Sequence, residues 1–113
     1  MKVAIIGSRS FNDYQRLCQV LNPVKDKITL IVSGGARGAD ELSERFAKDN
    51  NIKTLIFLPD WDKYGKKAGF LRNKDIVENS DIVIAFWDGV SPGTKSSIDY
   101  ANNTSKKVKI IKY

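Results

Sequence analysis

The chain has no histidine and a single cysteine, Cys18, among its 113 residues. The missing histidine excludes His-ligated metal sites and every Ser-His or Cys-His nucleophilic pair. One thiol excludes an intramolecular disulfide, and Cys18 sits beside Leu17 in a helical pattern, where a small core side chain is expected rather than a nucleophile. Any chemistry falls to carboxylates, hydroxyls, lysines, arginines or the backbone. Long apolar runs are absent as well, and none approaches the roughly 20 residues that cross a bilayer. Met1 to Ile6 is one basic residue and a short apolar run stopped by Gly7, without the longer apolar segment and cleavage site of a signal peptide. A cytoplasmic location without a membrane partner is the expectation. No repeat, low-complexity tract or linker interrupts the chain, so residues 1–113 are expected to form one domain.

What is present is an ordinary globular composition, 42% hydrophobic and 28% charged, with a net charge of +6. That charge suits an anionic partner, either a phosphorylated small molecule or a nucleic acid. Part of it comes from Lys106, Lys107, Lys109 and Lys112 around the last apolar run, where lysines commonly block sheet-edge pairing.

Five short apolar runs alternate with helical patterns: Val3 to Ile6, Ile28 to Val32, Thr54 to Leu58, Ile82 to Phe86 and Val108 to Ile111. Most are continuous rather than strictly alternating, the pattern of parallel strands covered on both faces. Tyr14, Leu17, Cys18 and Leu21 share one helical face behind Asn12 or Asp13 as N-cap. Ala39, Leu42, Phe46 and Ala47 form a second stripe. A third helix is predicted from Ala68 to Asn79, with Phe70, Ile76 and Val77 buried, and a fourth from Gly93-Thr94, with Ile98 and Ala101 inward. The predicted fold is α/β: a three-layer, Rossmann-like, doubly wound open sheet, mainly parallel, with helices on both faces.

In such a sheet, ligands bind beyond the carboxyl ends of the strands, where strand order reverses. The loops predicted there hold the glycines, arginines, hydroxyls and aromatics, whereas Asn50-Asn51 and Thr104-Ser105 at the other end are generic turns. The run Ser33-Gly34-Gly35-Ala36-Arg37-Gly38-Ala39-Asp40 has the form of a phosphate loop between a strand and a helix start. Its glycine spacing matches neither the dinucleotide fingerprint nor a Walker A loop. Asp40 could accept from a ribose hydroxyl or simply favour the helix N-terminus. Gly7, Ser8 and Arg9 form a second glycine-and-arginine turn. Gly93 and Thr94 offer backbone N–H groups and a hydroxyl to an anion. Trp61, Tyr64 and Trp87 could contact a base or sugar, or pack on the scaffold. Arg72 and Asn73, early on the third helix, fall close to the same place.

The set Gly7-Ser8-Arg9, Ser33 to Asp40, Asp60-Trp61, Tyr64-Gly65-Lys66, Ala68-Gly69, Arg72-Asn73 and Ala85 to Thr94 resembles the YspA-like branch of the SLOG superfamily. That Rossmann-like group also holds the "lonely guy" phosphoribohydrolases and the DprA DNA-processing proteins. The resemblance implies binding, sensing or processing of a nucleotide or nucleotide-derived ligand; no cofactor and no metal are expected. The phosphoribohydrolases carry a Gly-Gly-x-Gly-Thr-x-x-Glu motif with an arginine on the preceding helix. Here Arg72 matches that arginine and Gly93-Thr94 the Gly-Thr, while Ser97 stands at the glutamate position. A serine cannot stabilise an oxocarbenium-like charge as a carboxylate does. An N-glycosidic hydrolase would then need another acid, with Asp88, Asp99 or Asp40 as candidates. A DprA-like nucleic-acid-binding module is a third reading, and the phosphoribohydrolases imply a homodimer.

Overall fold

The computed structural model describes residues 1–113. Five strands, β1 (Lys2–Gly7), β2 (Leu30–Ser33), β3 (Lys53–Ile56), β4 (Ile82–Trp87) and β5 (Lys107–Lys112), form one sheet in the order β3-β2-β1-β4-β5. Every pairing is parallel. The helices are α1 (Tyr14–Leu21), α2 (Ala39–Asp49), α3 (Trp61–Tyr64), α4 (Ala68–Glu78) and α5 (Pro92–Asn103). Two 3-10 turns, Asn22–Lys27 and Gly65–Lys67, complete the chain.

The period of two along β1 divides the core into its two layers. Val3 and Ile5 face α1 and α2, where Leu17, Leu21, Phe46 and Ala47 close the first layer. Ala4 and Ile6 face α4 and α5, where Ile76, Val77, Ile98 and Ala101 close the second. Cys18 is half-buried against the first layer, in the packing role expected of it. Local signals set the helix starts: the Asp13 carboxylate accepts from the Arg16 amide at 3.0 Å, and Pro92 opens α5. No helix is long and apolar enough to cross a membrane.

Three expectations are corrected. Burial on both faces holds for β1 and β4 but fails for the edge strand β3, all four residues of which are exposed. The run Ile28 to Val32 joins the sheet only from Leu30, because Ile28 ends the first 3-10 turn with its side chain buried. Phe70, expected in the core, is 49% exposed. At β5, Lys107, Lys109 and Lys112 stand exposed on an open edge.

The chain runs β1, β2, β3 outward to one edge, then returns to β4 on the other side of β1. Strand order therefore reverses between β1 and β4, and the loops leaving their carboxyl ends splay apart there.

Candidate functional site

Three glycines interlock the loops at this point. A Cβ on Gly7 would lie 2.6 Å from the Ala39 Cβ, so Gly7 lets the first turn of α2 close on the end of β1. Gly38 has φ +81°, and a Cβ there would meet the Ser8 carbonyl oxygen at 2.5 Å. Gly34 leaves room for the guanidinium of Arg72. Ser8 joins the other side: its amide donates to the Phe86 carbonyl oxygen at 3.0 Å, and its hydroxyl accepts from the Asp88 amide at 3.3 Å. Phe11 stacks on Phe86 with ring centroids 4.6 Å apart, pinning the loop after β1 to the strand end.

Between these loops and the helices α4 and α5 lies a cleft of about 680 Å³. Its α4 wall is the stripe Gly69, Asn73 and Ile76, with Arg72 beside it. The Arg72 Nη1 donates to the Gly34 carbonyl oxygen at 2.6 Å and its Nε to the Asn73 Oδ1 at 2.8 Å. Burial lowers the pKa of Arg72. The carboxylate of Asp40 opposes that shift, and the like charge of Arg9 adds to it.

Two carboxylates line the cleft, and their surroundings push them apart. Asp40, in the first turn of α2, is only 7% exposed and accepts from the Ala36 amide at 3.2 Å. Burial raises its pKa from 3.8 to about 6, against the lowering effects of the Ala36 amide and Arg72. Asp88 accepts from the Ser91 hydroxyl at 2.7 Å and from the Val90 and Ser91 amides at 2.9 and 2.8 Å. Those bonds, the Ser91 hydroxyl first, lower its pKa to about 2. Asp88 is thus a turn-holding carboxylate with both oxygens engaged.

The two helix starts that meet at the cleft differ in charge. α2 carries Asp40 and Glu41 in its first turn, while α5 carries no acid there. The amides of Gly93 and Thr94 find no acceptor within the chain, and nothing lies within 4 Å of where a Gly93 Cβ would be. The α5 start therefore turns the positive end of its helix dipole, uncompensated by an acid, toward the cleft.

Of the residues singled out from the sequence, Gly7, Ser8, Arg9, Asp40, Trp61, Arg72, Asn73, Asp88, Gly93 and Thr94 line the cleft together. Ser33, Gly34, Gly35, Arg37, Gly38, Tyr64 and Trp87 do not. The Trp87 indole donates to the Ser91 carbonyl oxygen at 3.1 Å and packs on the second core layer. Asp99 lies on the outer face of α5, paired with Lys95 at 2.9 Å, away from the cleft. Ser97 lines the cleft but is buried, its hydroxyl donating to the Gly93 carbonyl oxygen at 3.3 Å. Phe70, expected in the core, and Ser96 are lining residues that the sequence did not assign to the site. Phe70 precedes Asn73 by three positions, and that spacing on α4 was the available signal.

A protein-family model described as YAcAr, the YspA, cpYpsA-related SLOG family, matches residues 1–64. The chain belongs to this family. The matched stretch runs from β1 through α3 and includes both glycine-and-arginine turns. Over 103 residues this SLOG chain is 35% identical to the Gene 61 protein of Mycobacterium phage D29, covering 83% of this chain and 82% of the phage protein. Among solved structures, DNA processing protein A from Streptococcus pneumoniae superposes with a TM-score of 0.82 at 22% identity. That match covers 96% of this chain and 49% of the other. The Helicobacter pylori protein of the same name superposes at 0.76 and 24% identity, over 97% of this chain and 64% of that one. These likenesses show the shared fold. The SLOG chain spans about half the length of the first protein and less than two thirds of the second.

Proposed function

We propose that this SLOG domain binds a nucleotide or nucleotide-derived phosphorylated ligand in the cleft between the ends of β1 and β4. The observation that carries the proposal is the start of α5. Two backbone amides without acceptors, on a helix with no acid in its first turn, open into a cleft that also holds Arg9 and Arg72. Oriented amides, the helix dipole and planar guanidinium groups together favour a phosphate. The aromatic rim supports a base beside it. Trp61 is 53% exposed and Phe70 49%, and both line the cleft.

A second reading, single-stranded nucleic acid, is favoured by the same rim, by the charge of +6 and by the fold shared with the H. pylori protein, which binds single-stranded DNA. The two separate by length and salt. Isothermal titration of 5′-mononucleotides and of a single-stranded oligonucleotide at two ionic strengths is the test. The proposal expects mononucleotides to bind and to be recovered intact on chromatography. The alternative expects binding only by the oligomer, with a steep salt slope. Unchanged mononucleotide affinity in a folded Arg72→Ala variant would place the ligand elsewhere.

A further inference from the structure

The cleft mixes two arginines with two carboxylates, only one of which is buried in its wall. Arg9, Arg72 and the free amides of Gly93 and Thr94 all favour an anion, while Asp40 brings a buried carboxylate into the same wall. A carboxylate repels phosphate, so the part of a ligand that meets Asp40 must be a hydrogen-bond donor. Asp88 is the poorer acceptor, because the turn before α5 already takes three of its roughly four acceptor sites. Asp40 accepts one geometrically sound bond, from the Ala36 amide on Oδ2, and keeps acceptor capacity to spare. Beside it, Arg72 uses one donor on the Gly34 carbonyl and one on Asn73 and has others left. An acceptor next to a donor is the complement of a hydroxyl group, which is both.

We infer that Asp40 and Arg72 read the sugar hydroxyls of the ligand, so that the cleft selects ribonucleotides over deoxyribonucleotides. This rests on the nucleotide reading above. Three charged groups face Asp40 or its partner: Arg72 from α4, Glu44 from α2 and, acting on Arg72, Arg9 from the loop after β1. With Asp40 ionised at pH 8, a hydroxyl can donate to it, and a deoxy sugar leaves the buried carboxylate without that donor. Sites built to hydrogen-bond a hydroxyl reject the analogue lacking it more strongly than apolar pockets reject a change of size.

Equilibrium dialysis of the whole chain at pH 8 tests this, using AMP, GMP, CMP and UMP, their 2′-deoxy and 3′-deoxy counterparts, and inorganic phosphate. The tightest ribonucleotide is expected to bind at least about tenfold more strongly than one of its deoxy counterparts. In Asp40→Ala, which removes the acceptor altogether and has its fold checked by circular dichroism, that ratio should collapse while phosphate affinity does not fall. Equal binding of ribo and deoxy forms by the natural chain overturns the inference and leaves the nucleotide reading standing. A ratio that persists in Asp40→Ala overturns the assignment to Asp40. If neither nucleotides nor phosphate bind, the nucleotide reading itself fails and this inference falls with it.

Discussion

Arg72 on α4 donates to the carbonyl oxygen of Gly34 in the loop after β2 at 2.6 Å, and the space a Gly34 side chain would fill is the space its guanidinium occupies. The glycine-rich loop and the arginine 38 positions later are therefore one structural unit. The bond ties α4, one wall of the cleft, to the loop that leads into α2.

Gly34→Ala should displace Arg72, destabilise the fold by about 1–3 kcal/mol through overpacking, and weaken nucleotide binding. In the Gly34→Ala/Arg72→Ala double variant the steric part of the cost should disappear. A denaturation double-mutant cycle checks this, and strict additivity would mean that the two residues are not coupled.

Asp40 makes stability depend on pH with a sign opposite to that of a salt-bridged carboxylate. Its folded-state pKa, raised from 3.8 to about 6, means that the native state binds the proton more tightly than the unfolded chain. Stability contributed at this site therefore rises as pH falls from about 6 to about 4, and the ionised group opposes folding above that range. Asp40→Asn should be more stable than the natural chain at pH 8 by up to about 3 kcal/mol, the shift of roughly two pH units at 1.36 kcal/mol each. The gain should vanish near pH 4. Asp88, with its pKa lowered to about 2, acts in the opposite direction and over a more acidic window in both proteins. The difference between the two urea-denaturation profiles across pH 4–8 therefore isolates Asp40, and parallel profiles would refute the assignment.

Gly93→Asp separates folding from binding. A side chain there meets no heavy atom within 4 Å. The added charge at the start of α5 favours the helix dipole by about 0.3–1 kcal/mol. The same charge occupies the proposed phosphate position, so the melting temperature should hold or rise while nucleotide affinity falls at least about tenfold. Calorimetry of both quantities on one preparation is the check, and unchanged affinity would move the phosphate away from α5.

Phe70→Ala and Trp61→Ala should each cost no more than about 1–2 kcal/mol of stability, because about half of each ring is already in water. Each should weaken nucleotide binding by about 1–3 kcal/mol if a base stacks there. Trp87→Ala should behave in the reverse way, lowering stability first, since its ring packs on the core and its indole N–H is engaged by Ser91. Titration calorimetry and thermal melts of the three variants side by side distinguish rim from scaffold.

Strand count, direction and the end of the sheet that carries the cleft were legible in the chain itself. Those features follow from local sequence: short β-branched runs, helical stripes such as Leu17 and Leu21, and glycine-rich turns at one end only. The N-cap at Asp13 and the start of α5 beside Gly93-Thr94 were equally local. Which side chains meet in the cleft was a matter of non-local packing. Phe70 is apolar and lies in a helical pattern, yet α4 packs on the sheet through Ile76 and Val77 and leaves Phe70 half-exposed at the cleft. Trp87 and Asp99 carry site-like chemistry, but the turn at Ser91 takes up one and Lys95 pairs with the other. The glycine run Ser33 to Gly38 reads as a phosphate cradle in one dimension. In three, Gly34 and Gly38 make room for Arg72 and for the Ser8-Arg9 backbone, while Asp40 sits in the first turn of the helix that follows. Amides without an acceptor occur at both helix starts, but only α5 has no acid in its first turn and a glycine that faces open space. Local sequence determined that there would be a polar end to the sheet. Packing across sequence distance decided which of its groups were left free to bind.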